Sequence, residues 1–85
     1  MKNKTEVQAF LFKKYIEKVS ELTGKLFLEL KGTDEQKKSL EAMDFMTQIM
    51  QGGKFPDKDL PFIERNKELF QEIQDYVSDI NSLGE

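Results

Sequence analysis

A row of five carboxylates in the last third of the chain offers the side chains best suited to chemistry. They follow one another at intervals of three or four residues and are called the acidic row here: Glu64, Glu68, Glu72, Asp75 and Asp79. At about 100° per residue, this spacing places all five within an arc of about 80° on one helix face. Carboxylates in this arrangement could bind a metal ion, exchange protons with a substrate, or dock a cationic partner.

The sequence disfavours metal binding and catalysis by the acidic row. Carboxylate-bridged metal sites in helical bundles combine inward-pointing glutamates with a Glu-x-x-His pair, and this chain has no histidine. It has no cysteine either, so disulfides and thiolate metal sites are excluded. Acid–base catalysis would need a group with a shifted pKa in a cleft, and 85 residues leave little interior for one. We therefore expect a non-enzymatic protein without a metal or cofactor site.

Docking of a protein partner is the functional interpretation of the acidic row. Like charges four residues apart destabilise a helix slightly, and no lysine lies within the row to relieve them. The alternative is a solvated helix face whose charge is balanced by a lysine row on the first helix, at Lys14, Lys18 and Lys25. Solubility alone can explain an acidic face, so the sequence leaves both interpretations open.

Charge is distributed unevenly along the chain. The net charge is −3, with +3 on residues 1–32 and −6 on residues 33–85. The single arginine is Arg65, whereas nucleic-acid-binding proteins usually present a basic, arginine-rich surface. The longest apolar run, residues 9–12, is far shorter than the roughly 20 residues of a membrane-spanning helix. These features predict a cytoplasmic protein that binds neither nucleic acid nor membrane.

The helix that must carry the acidic row is predicted by apolar periodicity. A seam of residues alternates steps of four and three: Phe62, Asn66, Leu69, Ile73, Tyr76, Ile80 and Leu83. A second row beside it, at Ile63, Phe70 and Val77, widens the apolar face. Such a broad face is typical of a helix packed on more than one neighbour, so we predict a helix over about 61–83.

The first helix is predicted over about 5–31, with Thr5 as its N-cap. Its apolar residues follow a period of 3.6 residues from Phe12 to Leu30. Gly24 is the weak point, because glycine disfavours helix interiors and often follows helix ends. The alternative ends the helix at Thr23 and makes residues 25–31 a short strand. The continuous helix is preferred, because the periodicity passes through Gly24 in phase.

The second helix is predicted over about 34–51, with Thr33 and Gln36 forming a capping box. Its apolar residues cover nearly half the circumference, which is typical of a central helix. Its methionines at 43, 46 and 50 are expected in the core, and the alternative is an adaptable groove for a partner helix. A loop over 52–60 follows, with Asp59 as the expected N-cap of the last helix. The prediction is a single all-α domain over 1–85, a three-helix antiparallel bundle completed by self-association.

Four residues are candidates for self-association: Phe10, Leu28, Phe55 and Asn66. Phe10 and Leu28 face away from the main apolar face of the first helix, and Phe55 stands alone in the loop. A buried asparagine can fix the register of an oligomer, as Asn66 would if it lay at an interface. The alternatives are that Phe10 and Leu28 are ordinary exposed hydrophobic residues, that Phe55 folds back onto the core, and that Asn66 is solvated near the end of the bundle. The first predicted helix is also longer than the second, which would leave part of its apolar face uncovered.

Three functions are compatible with these features. The favoured one is a non-catalytic protein-interaction module that self-associates, as a homodimer, and binds a protein partner. The second is a small acidic regulator or inhibitor, of the kind that phages and mobile elements carry, docking on a larger enzyme or nucleic-acid-binding protein. The third is a helical oligomer that sequesters a small ligand between protomers.

Overall fold

A computed structural model describes residues 3–52 and 54–84 as an assembly of helices without strands. The helices are α1 (Lys4–Glu29), α2 (Glu35–Gln51), α3 (Leu60–Arg65) and α4 (Lys67–Gly84), and a 3₁₀ turn (Asp57–Asp59) precedes α3. The all-α prediction is confirmed. The prediction of three helices needs correction, because the last predicted helix is divided at Asn66 and these described residues form four.

Helix α1 runs through Gly24 without interruption, so the continuous helix is confirmed and the strand over 25–31 is not formed. Its N-cap is Asn3 rather than the predicted Thr5, and the Asn3 side chain accepts a hydrogen bond of 2.8 Å from the Glu6 N–H. This bond satisfies one of the N–H groups that a helix leaves unpaired at its start. The helix ends at Glu29, two residues earlier than predicted, because the backbone is extended at Leu30.

Helix α2 begins after Asp34, which replaces the predicted capping box of Thr33 and Gln36. The Asp34 carboxylate accepts a hydrogen bond of 3.1 Å from the Lys37 N–H. Helix α2 ends at Gly52, whose φ of 68° lies in the left-handed region that glycine adopts without steric cost. Asp59 was also predicted as an N-cap. It occupies that position before α3, but its side chain makes no capping hydrogen bond.

The division between α3 and α4 is made by Asn66. Its N–H is shared between the carbonyls of Phe62 and Ile63, at 3.1 Å each. Its side-chain amide also donates to the Phe62 carbonyl at 3.0 Å. Polar side chains that bond back to the carbonyl four residues earlier often bend helices. Asn66 therefore occupies a seam position in the sequence, but in the structure it separates α3 from α4.

Helix α1 is the central element, because it packs against both α2 and α4. The sequence had assigned that place to α2. Helix α4 runs antiparallel to α1: Lys18 pairs with Glu72, and the Gln8 side chain donates to the Ile80 carbonyl at 3.2 Å. Since the short connection after α1 makes α2 antiparallel to it as well, α2 and α4 are parallel to each other.

The predicted alternation of antiparallel helices is therefore wrong, and the reason lies in residues 54–59. Helix α2 ends beside Tyr15, in the first half of α1, whereas Pro56 lies beside Leu26, near the end of α1. This crossing segment returns along the bundle before α3 begins. Phe55 fixes it in place, with ring centroids 5.3 Å from Phe45 and 5.8 Å from Phe70.

The core forms where α1, α2, α3 and α4 meet the crossing segment. Its most deeply buried side chains are Val19, Leu22 and Ile73. Around them lie the other buried hydrophobic residues: Tyr15, Leu26, Ala42, Phe45, Ile49 and Phe62. The molecule measures 50 × 22 × 19 Å, so most of its length is set by α1 alone.

Candidate protein-binding surfaces

The bundle is open at one end, because α1 and α4 continue beyond the end of α2. Met50, in the last turn of α2, lies beside Phe12 and Tyr15 of α1. Farther toward the beginning of α1, Gln8 contacts Ile80 of α4. The result is a groove of about 200 Å³, called the open-end groove here. It is lined by Phe12, Tyr15, Met50, Val77, Ile80 and Asn81.

The open-end groove exposes aromatic and aliphatic side chains to solvent. Phe12 is 51% exposed and Met50 is 48% exposed. The Phe12 ring stacks on Tyr15 with centroids 5.9 Å apart, and burial raises the pKa of the Tyr15 hydroxyl. A groove with this lining can accept apolar side chains. Sequence reasoning placed Phe12 on the main apolar face of α1. For Met43, Met46 and Met50 it favoured the core over a groove for a partner helix. The unequal helix lengths also indicated that some apolar surface would be left over.

The four predicted self-association residues do not come together in one place. Phe10 and Leu28 lie on the outer face of α1, 51% and 82% exposed, and about 27 Å apart along the helix. Lys14 Nζ lies 5.5 Å from the Phe10 ring. Phe55 is half-buried between the rings of Phe45 and Phe70, and Asn66 is half-buried at the division between α3 and α4. The four residues therefore offer separate contacts and no continuous surface.

The acidic row is exposed, but its members differ in their partners. Glu72 forms an ion pair with Lys18 at 3.1 Å, and the Glu64 carboxylate lies 3.9 Å from the Lys67 ammonium. The hydrogen bond from Lys18 to Glu72, and then the charge of that carboxylate, raise the pKa of Lys18. Asp75 accepts a hydrogen bond of 3.0 Å from the Gln71 side chain.

Only part of the predicted charge balance is present. Within residues 3–52 and 54–84, Lys18 is the one member of the lysine row that pairs with the acidic row, and Lys14 pairs instead with Glu17 at 3.6 Å. Glu68 and Asp79 have no ion pair among these residues. The acidic row is therefore partly neutralised, with two carboxylates free to attract a cationic surface.

A second cavity, called the side groove here, lies between α1, α2 and the crossing segment. It measures about 240 Å³. Its apolar lining comes from Leu26, Leu30, Phe45 and Pro56. Its polar lining comes from Glu41, Asp44, Thr47, Gln48, Lys58 and Asp59. Sequence reasoning missed this site, because its carboxylates belong to two different elements, α2 and the 3₁₀ turn, and follow no local spacing.

Asp59 is the titratable group most affected by the side groove. Burial raises the pKa of its carboxyl, with Lys58 opposing the rise and Glu41 adding to it. The carboxylates of Glu41, Asp44 and Asp59 form neither a hydrogen bond nor an ion pair within the part of the chain that the structure describes. A cation at the rim would be attracted by all three.

The described residues contain no group of three or more side chains suited to metal binding. No helix among them has the length and apolar character needed to cross a membrane. Comparisons of the chain with protein-family models, with curated proteins and with solved structures found no match.

Proposed function

We propose that this protein is a non-catalytic protein-interaction module that forms a homodimer through the open-end groove. The observation that carries the proposal is the half exposure of Phe12 and Met50 around an apolar groove that α2 is too short to cover. Small domains bury only about 60% of their unfolded surface. Covering this groove with a second copy would extend the core that the chain cannot complete alone.

A twofold arrangement suits this groove, because one surface can then serve both protomers. Phe12 of each copy would lie against Val77 and Ile80 of the other. A stable interface buries roughly 800 Å² on each partner, about an eighth of the 6317 Å² of accessible surface. The exposed first turns of α1 and last turns of α4 adjoin the groove and can supply the remaining area.

The outer face of α1 is a weaker candidate for self-association. An antiparallel pairing that brings Phe10 onto Leu28 of a second copy would also place Glu17 opposite Glu21 of that copy. Like charges directly opposed across an interface are unfavourable. The dimer is therefore assigned to the open-end groove and not to Phe10 and Leu28.

Solution mass measured by light scattering on a sizing column, over a hundredfold dilution, tests the dimer. We expect twice the chain mass for the wild type and the monomer mass for Phe12→Asp and Met50→Lys, with helicity by circular dichroism retained. Leu28→Asp is the control for Phe12→Asp, since it places the same charge on a more exposed part of α1, away from the open-end groove. A wild-type monomer at every concentration, or dissociation by Leu28→Asp alone, would contradict the proposal.

A second candidate function is docking of the acidic row on a cationic protein, as a small regulator or inhibitor would do. It is supported by Glu68 and Asp79, which no lysine or arginine of the described residues neutralises. Reversing Glu68, Glu72 and Asp75 to lysine should abolish capture of that partner from an extract of the source cells. The control reverses Glu17, Glu21 and Glu35, which changes the net charge equally outside the row. Capture lost in both triple variants would remove the acidic row from consideration.

A further inference from the structure

We propose that the side groove is a binding site for a single arginine side chain of a partner protein. This inference rests on the proposed role in protein binding and specifies the chemistry of the partner. It does not depend on the homodimer, because no described residue lines both the side groove and the open-end groove.

The size of the side groove limits its occupant to one side chain. Its volume of about 240 Å³ is below the range of roughly 300–1,000 Å³ of pockets that hold drug-sized molecules. Leu26 and Phe45 are buried, 7% and 2% exposed, so the apolar wall they form is held by core packing. The site is therefore a preformed recess.

The lining matches the two parts of a long cationic side chain. Leu30 and Pro56 extend the apolar wall that a methylene stem can cover, while the charged end remains near water. Glu41 and Asp44 come from α2, and Asp59 comes from the 3₁₀ turn. Lys58 is the one cation among the described residues of the lining, so these residues carry a net charge of −2 when their carboxylates are ionised.

Arginine suits this rim better than lysine. Its planar guanidinium presents five N–H donors in a fixed fork and can bond two carboxylates at once. The carboxylates of Glu41, Asp44 and Asp59 have no hydrogen-bond or ion-pair partner among the described residues, so their acceptor capacity is unused. The chain's own Arg65 is paired with Glu29, which leaves the site to an arginine from another protein.

Nuclear magnetic resonance titration of the ¹⁵N-labelled protein tests the site. The probe is N-acetyl-arginine amide, with N-acetyl-citrulline amide as the uncharged control of the same shape and N-acetyl-lysine amide as the point-charge control. We expect saturable shifts of the amides in residues 41–48 and 57–60, with a dissociation constant on the order of 10 mM, since one side chain supplies few contacts. Citrulline should produce shifts that do not saturate, and lysine should bind more weakly than arginine.

Variants assign the binding to the rim. Glu41→Gln and Asp59→Asn should each weaken arginine binding by about twofold to fivefold, as loss of one partly exposed charge pair implies. The control, Glu68→Gln with Asp79→Asn, removes two free carboxylates of the acidic row and should leave the affinity unchanged. The same spectra report whether each variant is folded.

Several outcomes would overturn the inference. These are equal shifts with arginine and citrulline, shifts concentrated on α4, an affinity unaffected by Glu41→Gln and Asp59→Asn, or the absence of any saturable shift. Side-groove amide signals that shift with protein concentration in the absence of the probe would show that a second copy of the chain occupies the groove. That result would also exclude the proposed partner. Solution mass is measured on the same samples, so failure of the arginine site and failure of the homodimer are read separately.

Discussion

Gly24 lies in the middle of α1, where alanine is the better helix former. It is exposed, and a Cβ built on it would meet nothing within 4 Å outside the adjoining helix backbone. The glycine therefore carries the entropy cost of a flexible residue without allowing any close approach inside the protein.

We expect Gly24→Ala to raise the free energy of unfolding by about 0.5–1 kcal/mol. Urea denaturation followed by circular dichroism measures it. Gly52→Ala is the matched control and should lower stability, because Gly52 has a φ of 68° that alanine adopts only with strain. A decrease for Gly24→Ala would mean that another backbone approaches α1 at this residue.

The carboxyl group of Asp59 makes the stability of the protein depend on pH. Burial raises the pKa of its carboxyl, Lys58 opposes the rise and Glu41 adds to it, while Asp44 also faces the side groove. The folded protein therefore retains this proton to a higher pH than the unfolded chain, in which the carboxyl titrates near its ordinary 3.8. Since the folded state binds more protons in that window, this group's contribution to stability falls as pH rises through it.

We expect Asp59→Asn to remove this unfavourable contribution. The melting temperature of the variant relative to the wild type should increase as pH rises from below 3.8 through the raised pKa, and should then stay constant. Asp57→Asn is the control, because it removes an exposed carboxylate from the same 3₁₀ turn. An equal pH-dependent difference for the control would show that the side groove is not the cause.

At the scale of helices and segments, local patterns were predictable and long-range placement was not. The period of 3.6 residues depends on neighbouring side chains alone, so it predicted α1 through Gly24. The turn at Asn66 depends on whether its amide bonds back to Phe62, and a residue type does not decide that. The path of the crossing segment brings Asp59 close to Glu41 in the side groove. No periodic pattern in the sequence predicts that path.

The crossing segment is held chiefly by Phe55, so its order should depend on that ring. Phe55→Ala should lower the free energy of unfolding by about 2 kcal/mol, less than a fully buried phenylalanine because Phe55 is half-buried. Trypsin cleavage after Lys54 and Lys58 should become faster, because the segment opens locally. The control is Phe10→Ala, a half-exposed phenylalanine outside the core, which should change neither measurement appreciably. Unchanged cleavage in Phe55→Ala would mean that other contacts hold the segment.

At the scale of the whole molecule, the two candidate functions use surfaces with opposite responses to salt. The open-end groove is lined mainly by apolar side chains, whereas the acidic row is exposed charge. Raising salt from about 0.1 M to about 1 M shortens the Debye length from about 10 Å to about 3 Å. A contact made by exposed charges weakens under these conditions, and an apolar contact does not.

We therefore expect the dimer mass to persist at about 1 M sodium chloride, where the Debye length is about 3 Å, while capture of a cationic partner through the acidic row is lost. Light scattering and the capture assay, run at the same two salt concentrations, measure the two responses. Dissociation of the dimer by salt would mean that the charged faces, and not the open-end groove, form the dimer interface.

The pairing of α1 with α4 also determines the order in which the fold can form. Helices α1 and α2 are neighbours in the chain and can associate as soon as the ribosome has released them. Ile73, one of the most deeply buried residues, belongs to α4 and emerges later. Until then the α1–α2 hairpin lacks the packing that Ile73 supplies to the core cluster of Val19 and Leu22. An intermediate in which only α1 and α2 have packed therefore exposes apolar surface, which favours aggregation.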